Sequence, residues 1–140
     1  MSDLKFSPNF NCAIKVLLIE DMINFRTQMT QDLRNLGLVG EIDEAENISQ
    51  GVAKLKQNKY DLVICDWNLP DGTGYDLLIK FKESILSRTT PFVLCTTVDE
   101  VSSILKALSA GADEYIVKPW QVAELRKKIE AVMLKKAQKK

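Results

Sequence analysis

The sequence predicts an α/β protein in which helices cover both faces of a five-stranded parallel sheet. Short apolar runs alternate five times with segments whose apolar residues recur at helical spacing. The runs are continuously apolar, which is typical of parallel strands that are buried on both faces. The chain has 140 residues, of which 46% are hydrophobic, so one domain with a single core is expected.

The first two strand–helix units occupy residues 15–57. The first strand is 15–19 (KVLLI), and the helix after it stops at Gly37. The core-facing positions of that helix share helical spacing: Ile23, Arg26, Met29, Leu33 and Leu36. A second, more exposed strand is predicted at 39–45. Asn47 is the expected N-cap of the second helix, which carries Ile48, Val52 and Leu55.

Three further units follow. The third strand is 61–65 (DLVIC), and a helix is predicted at 75–86 with apolar Leu78, Phe81 and Ile85. Pro91 opens the fourth strand, 92–96 (FVLCT). The helix at 99–110 ends before Gly111, and its apolar stripe is Val101, Ile104, Leu105 and Leu108. The fifth strand is 114–117 (EYIV), and the stripe of the last helix is Val122, Leu125, Ile129 and Val132.

Right-handed crossovers between five such units leave few sheet orders. We expect the flavodoxin-like order 2-1-3-4-5 of a three-layer sandwich, with a ligand site at the carboxyl ends of the strands. The domain organisation that we expect is an N-terminal extension at 1–14, one domain at 15–134 and a basic C-terminal tail at 135–140.

Composition excludes several functions. Nineteen basic and nineteen acidic residues balance, so direct nucleic-acid binding is not expected. The chain has no His, which removes His-based catalytic triads and His metal ligands. Three widely spaced cysteines form no disulfide framework, and no signal peptide or membrane-spanning run is present. A cytoplasmic protein without membrane insertion is therefore predicted.

Polar side chains fall where four predicted strands end. These residues are Glu20, Asp21, Asp66, Thr96, Thr97 and Lys118. Strands one and three are neighbours about 5 Å apart, so the three carboxylates should converge. Two like charges at that distance repel by about 3 kcal/mol at an effective dielectric near 20, so a pKa rises or a cation binds. Oxygen ligands without His or thiolate favour Mg²⁺.

The other groups fit a phosphoryl ligand. Lys118 offers a positive charge, Thr96 a hydroxyl donor, and the loop after Asp66 its backbone groups. Asp66 is the best candidate nucleophile because it is central and begins that loop. Three residues let the backbone turn closely around this acid: Pro70, Gly72 and Gly74.

Each site residue also has a structural alternative. Glu20 and Asp21 can cap the following helix, and Asp66 can begin an Asx-turn. Thr96 can be an ordinary strand residue, and Lys118 can lie in a surface turn. The site hypothesis depends on all of them falling at strand carboxyl ends together, which is improbable by chance.

Four ordered segments resemble the receiver domain of two-component response regulators, and are most similar to CheY-like single-domain chemotaxis regulators. The segments are LLIED, VICDWNLPDGTGYDLL, PFVLCTT and AGADEYIVKPW. The resemblance runs from about residue 15 to about residue 133, and the ordered set is highly specific. It implies a phosphoacceptor signalling protein rather than an enzyme, with at most slow self-catalysed hydrolysis of an aspartyl phosphate.

The resemblance implies a role for each acidic residue. Asp66 would be the phosphoacceptor, Asp21 a direct Mg²⁺ ligand, and Glu20 an acid that orients metal-bound water. Asn68 would supply its backbone carbonyl to the metal and would contact the phosphoryl group. The implied metal set is therefore Glu20, Asp21, Asp66 and Asn68.

The resemblance also implies the groups that respond to phosphorylation. Lys118 and Thr97 would contact the phosphoryl group. The Thr96 hydroxyl would move onto it while Tyr115 rotates inward, although Tyr115 can equally be a half-buried strand residue. The bond between Lys118 and Pro119 is expected to be cis.

Four positions depart from the family pattern. Glu20 replaces a commoner Asp, Thr97 replaces a frequent Ala or Gly, and Trp120 replaces a frequent Phe. Val98 stands where many relatives carry a polar residue that influences dephosphorylation. These departures leave the lifetime of the phosphorylated form open.

The implied partners are a histidine kinase as phosphodonor and an output or motor protein. The output partner would dock on the fourth helix, fifth strand and fifth helix of a monomer or of a phosphorylation-linked dimer. Two alternatives remain open: an unphosphorylated interaction module on a degenerate receiver, and a receiver fragment of a longer regulator. A dehalogenase-type phosphohydrolase needs a second Asp where Asn68 stands, and a nucleotide binder needs a glycine-rich fingerprint that is missing.

Overall fold

The computed structural model describes residues 4–97 and 101–138. Val98 and the predicted helix start at Asp99 lie outside the described residues. Five parallel strands form one sheet: β1 (Val16–Ile19), β2 (Ile42–Ala45), β3 (Leu62–Asp66), β4 (Phe92–Thr97) and β5 (Glu114–Lys118). Their order is β2-β1-β3-β4-β5, which confirms the predicted order 2-1-3-4-5 and the doubly wound class.

Helices cover both faces of the sheet. They are α1 (Ile23–Leu36), α2 (Ile48–Gln57), α3 (Gly74–Lys82), α4 (Val101–Ser109) and α5 (Val122–Gln138). Successive side chains of a strand point to opposite faces. In β1, Val16 and Leu18 therefore join the core under α1 and α5, while Leu17 and Ile19 join the core under α2, α3 and α4.

Two predicted boundaries are wrong by three or more residues. The second strand begins at Ile42 rather than at residue 39, because the Val39 side chain is 72% exposed and its N–H donates to the Cys12 carbonyl at 2.9 Å. The third helix ends at Lys82 rather than at residue 86. Ser84 accepts a hydrogen bond from the Leu86 N–H, which starts a separate 3₁₀ turn and leaves Ile85 74% exposed.

Three residues of the predicted apolar stripes of α1 and α4 are exposed. Ile23 is 64% exposed at the start of α1, and Leu105 and Leu108 are 68% and 37% exposed on α4. Helix α4 packs against β4, and its buried residues include Ile104 and Ala107. A helix that contacts one sheet face buries a narrow stripe, so apolar residues beside that stripe remain at the surface.

The segment before β1 extends the core under α1 and α5. Phe6 is buried, and its N–H donates to the Leu36 carbonyl at 2.8 Å. The rings of Phe6 and Phe10 stack with centroids 4.2 Å apart. Within the described residues, no helix combines the length and apolar character needed to cross a membrane.

Candidate functional site

The strand register brings the predicted site residues to one edge of the sheet. Ile19 of β1 pairs with Cys65 of β3, which places Glu20 beside Asp66. On the other side of β3, Asp66 pairs with Cys95, one residue before Thr96. Four of these polar side chains are buried: Glu20, Asp66, Thr96 and Lys118.

Three carboxylates converge at this edge. One oxygen from each of Glu20, Asp21 and Asp66 lies within 4.8 Å of the others. Glu20 and Asp66 are buried, and Asp21 is half-buried. A cluster of carboxylate oxygens, without thiolate or imidazole, has the ligand chemistry that Mg²⁺ prefers, so the residues present fit this cation.

Lys118 reaches into the carboxylate cluster. Its Nζ lies 2.6 Å from Glu20 Oε1 and 3.0 Å from Asp66 Oδ1. The same ammonium lies 4.4 Å from the centroid of the Phe25 ring. Burial opposes its charge, but the hydrogen bond to Glu20 and the charge of Asp66 raise the pKa of Lys118.

The protonation of Glu20 is perturbed by its buried position. Burial raises its pKa from 4.5 to about 7, since the hydrogen bond from Lys118 only partly offsets the burial and the charge of Asp66 adds to it. The other Glu20 oxygen accepts the Met22 N–H at 3.1 Å. One carboxyl of the cluster therefore takes up a proton or a cation close to neutral pH.

The loop after Asp66 is a short hairpin. Asn68 and Leu69 pair antiparallel with Thr73 and Gly72; we call residues 68–73 the loop hairpin. The Gly74 N–H closes its base by donating to the Trp67 carbonyl at 2.7 Å. A Cβ on Gly74 would lie 2.3 Å from the Asp66 carbonyl oxygen, so only glycine lets this backbone lie against the end of β3.

The structure separates the predicted switch residues. Thr96 is buried at the edge, and Thr97 is exposed beside Lys118 in the register. Tyr115 is half-buried and lies next to α5 instead of the carboxylates. Lys128 donates to the Tyr115 carbonyl at 2.8 Å, and its Nζ lies 3.6 Å from the ring centroid. The expected cis bond between Lys118 and Pro119 is present.

Arg26 is a site residue whose role the sequence analysis missed. Its Nη1 donates to the Glu20 carbonyl at 2.8 Å, and its Nε donates to Glu44 at 2.7 Å. These bonds fix the backbone at the end of β1 to α1 and β2. The available signal was a charged residue inside the apolar stripe of the first helix, which requires a buried partner.

A cavity of about 570 Å³ lies elsewhere, at the amino ends of the strands. Phe10, Ile14, Asp61 and Met133 line it, together with neighbouring polar residues. None of the carboxylates of the cluster contributes to its wall. Cavity size therefore does not mark the chemical site in this fold.

The fold and this edge define a doubly wound α/β protein with an acidic cluster and a buried lysine where the strands end. The chain belongs to the response regulator receiver domain family, whose model matches residues 16–130. Chemotaxis protein CheY-3 of Vibrio cholerae is 30% identical over 122 residues, which cover 87% of this chain and 93% of CheY-3. The phosphate regulon regulator PhoB of Escherichia coli is 33% identical over 121 residues, and the chain spans 52% of its length.

Solved structures agree with this assignment. Chemotaxis response regulator CheY4 of Vibrio cholerae is 26% identical, with a TM-score of 0.76 over 86% of this chain and 98% of that one. A CheY-like receiver domain protein of Methanospirillum hungatei JF-1 is 26% identical, with a TM-score of 0.80 over 91% and 99%. Receiver domains are signalling phosphoacceptors that bind Mg²⁺ at an acidic pocket and interact with histidine kinases and output partners. The predicted family is confirmed.

Proposed function

We propose that Asp66 accepts a phosphoryl group from the phosphohistidine of a histidine kinase, or from a small phosphodonor, and that this modification switches a docking surface. The observation that supports the proposal most is the position of Asp66. It is buried at the carboxyl edge of the sheet beside Glu20 and Asp21, and Lys118 Nζ lies 3.0 Å from its Oδ1.

The proposal assigns the acidic cluster to Mg²⁺. Asp21, Asp66 and the Asn68 backbone carbonyl would hold the cation, and Glu20 would orient a water bound to it. When bound, Mg²⁺ supplies charge neutralisation for the phosphoryl oxygens. The exclusively oxygen-donating side chains of the cluster support this cation over zinc or copper.

The remaining chemistry belongs to side chains. An Asp66 oxygen forms the new bond to phosphorus, the bond from phosphorus to the donor nitrogen breaks, and the leaving imidazole keeps the electron pair. Lys118 pairs with a phosphoryl oxygen, and Thr96 and Thr97 contact the same group. Slow hydrolysis of the aspartyl phosphate then resets the protein, so it acts as a timed switch rather than a metabolic enzyme.

The new group adds charge and acceptor oxygens, which bias a two-state equilibrium in which Thr96 moves and Tyr115 rotates inward. The responding surface is formed by α4, β5 and α5. Leu105 and Leu108 give α4 exposed apolar side chains, which suit a protein partner. That partner is an output or motor protein of chemotaxis-type signalling, bound by a monomer or by a phosphorylation-linked dimer.

In this proposal residues 15–134 form the receiver unit, between an N-terminal extension at 1–14 and a basic tail at 135–140. We place the protein in the cytoplasm. The three free thiols, Cys12, Cys65 and Cys95, are compatible with a reducing compartment.

Labelling with radioactive acetyl phosphate tests the acceptor. We expect Mg²⁺-dependent labelling of the wild type, no labelling of Asp66→Asn, and loss of label with excess chelator. Asp76→Asn is the matched control because Asp76 is an exposed acid on α3. Equal labelling of Asp66→Asn and the wild type would exclude Asp66 as the acceptor.

Trp67 fluorescence distinguishes this function from an unphosphorylated interaction module. Trp67 follows Asp66 and stacks on Tyr75 with ring centroids 5.5 Å apart. We expect its emission to change with Mg²⁺ and again with beryllofluoride, which mimics the phosphoryl group. A flat response to both would favour the interaction module.

A further inference from the structure

The loop hairpin is attached at its tip to a helix that is distant in sequence. Asp71 lies at the tip, between the paired residues Leu69 and Gly72. Its Oδ1 accepts the Ile48 N–H at 2.8 Å, and its Oδ2 accepts the Ser49 N–H at 3.0 Å. Both carboxylate oxygens are therefore used by the first turn of α2.

These two bonds complete the N-terminus of α2. The first N–H groups of a helix have no partner within it, and the helix dipole favours a carboxylate there. The Asn47 side chain accepts only the Gln50 N–H, at 2.8 Å. Asp71 supplies acceptors for the two N–H groups that Asn47 leaves. Gly72 packs closely at the same contact, since a Cβ there would lie 2.9 Å from Ile48 Cδ1.

Helix α2 also packs against β1, the strand that is followed by Glu20 and Asp21. A Cβ on Gly51 would lie 2.6 Å from Ile19 Cδ1, so α2 lies in close contact with the last residue of β1. Glu20 and Asp21 follow that residue directly. Contacts therefore link β1 to α2, and α2 through Asp71 to the loop hairpin. The loop hairpin follows Asp66 at the end of β3, and β3 pairs with β1.

We propose that Asp71 is a positioning residue of the phosphoacceptor site: by bridging the loop hairpin to α2, it holds the Asn68 carbonyl in register with Glu20 and Asp21. Both Asp71 oxygens are taken by α2, so Asp71 would act through the position of the loop hairpin and not as a ligand. The inference rests on the proposed function, because Asn68 matters only if its carbonyl is a Mg²⁺ ligand. Groups that orient ligands in this way alter metal affinity by about 10-fold or more when removed.

Mg²⁺ titrations with Trp67 fluorescence as the readout test the bridge that Asp71 forms between the loop hairpin and α2. We expect Asp71→Ala to raise the Mg²⁺ dissociation constant by about 10-fold. Asp71→Asn keeps one accepting oxygen, so its dissociation constant should lie between those of the wild type and Asp71→Ala. Asp76→Ala removes the same charge from an exposed position nearby and should match the wild type.

Three outcomes overturn the proposal. They are unchanged Mg²⁺ affinity in Asp71→Ala, an equal effect of Asp76→Ala, and an Asp71→Asn variant as weak as Asp71→Ala. The last would mean that Asp71 acts only through its charge. Thermal unfolding with and without Mg²⁺ shows whether each variant is folded.

A second measurement separates failure of this inference from failure of the proposed function. Amide hydrogen exchange at Ile48, Ser49 and Asn68 needs no metal. If the wild type binds no Mg²⁺, the proposed function fails. Hydrogen exchange then still tests whether Asp71 holds the loop hairpin against α2. Faster exchange in Asp71→Ala at α2 and at Asn68 supports the bridge. Faster exchange at α2 alone overturns the bridge, because the loop hairpin would then hold its position without Asp71.

Discussion

Lys118 contacts two carboxylates of a cluster that also attracts a cation. Its Nζ is 2.6 Å from Glu20 and 3.0 Å from Asp66, so the chain supplies its own positive charge to these acids. The same ammonium would have to serve the phosphoryl group after transfer. In the proposed mechanism, Lys118 would therefore oppose cation binding before phosphoryl transfer and assist the transfer itself.

Replacing Lys118 by Met separates these two effects. We expect tighter Mg²⁺ binding, because a competing positive charge is lost, and a labelling rate that falls by at least about 10-fold, because a donor to the developing charge is lost. Fluorescence titration measures the Mg²⁺ affinity, and acetyl phosphate labelling measures the rate. Lys80→Met, on the exposed face of α3, is the control. Unchanged labelling would remove Lys118 from the mechanism.

The Glu20 pKa predicts a pH dependence. Burial raises this pKa to about 7, so the folded protein binds a proton between pH 4.5 and 7 that the unfolded chain has released. The stability contributed by protonated Glu20 is fully present below pH 4.5 and is lost as pH rises through 7. Without Mg²⁺, the free energy of unfolding of the wild type should fall relative to Glu20→Gln between pH 5 and pH 8.

Denaturant unfolding of both proteins across this pH range measures the difference, and Glu46→Gln, an exposed acid, is the control. A constant difference between wild type and Glu20→Gln would contradict the raised pKa. Mg²⁺ should reverse the trend, because the ionised carboxyl is the form that a cation favours.

The main site residues could be predicted from the sequence because each ends an apolar run with a polar side chain. A local turn could account for Asp66 or for Lys118 alone, but their joint position at the carboxyl ends of strands pointed to one site. Asp71 could not be found in this way. It follows Pro70 and precedes Gly72, where a turn accounts for an Asp locally. Its partners lie 23 and 22 residues earlier, and only the fold brings them together.

At the scale of the elements, the N-terminus of α2 depends on side chains outside its own hydrogen-bond ladder. Asn47 was predicted as its cap, and the side chain does accept the Gln50 N–H. The end of α3 was not predictable from apolar spacing, because Ile85 continues the helical period. There the competing Ser84 cap starts a new turn. Local hydrogen bonding therefore decides where helices end when periodicity allows them to continue.

Removal of the Asn47 cap has a defined expected cost. Asn47→Ala leaves the Gln50 N–H without an acceptor and should lower the free energy of unfolding by about 1 kcal/mol. Denaturant unfolding measures this change. Gln57→Ala, at the exposed end of the same helix, should be within about 0.5 kcal/mol of the wild type. Equal stability of Asn47→Ala and Gln57→Ala would mean that Asp71 alone caps the helix.

At the scale of the whole molecule, the alternation of strands and helices predicted the sheet order because crossover handedness leaves few other orders. The packing of the N-terminal segment was not predictable. Its apolar residues, including Phe6 and Phe10, are isolated among polar ones and follow neither helical nor strand spacing. They gain partners only after the ends of α1 and α5 have been placed side by side, which is a long-range property of the fold.

Phe6 tests whether this segment is part of the folded unit. Only 6% of Phe6 is exposed, and it packs with Phe10 in the core under α1 and α5. Phe6→Ala should lower the free energy of unfolding by about 3 kcal/mol. Lys5→Ala, at an exposed position, should be nearly neutral. A loss of less than about 1 kcal/mol for Phe6→Ala would show that the segment is an appendage.

The internal ammonium of Lys118 has a consequence for the life of the protein before it receives any signal. A newly synthesised chain can complete folding with part of the negative charge of its acids already compensated, so folding would not have to wait for a divalent ion. Under the proposed function, Mg²⁺ would then be needed only for phosphoryl transfer, and depletion of cellular magnesium would stop signalling while the protein stays folded.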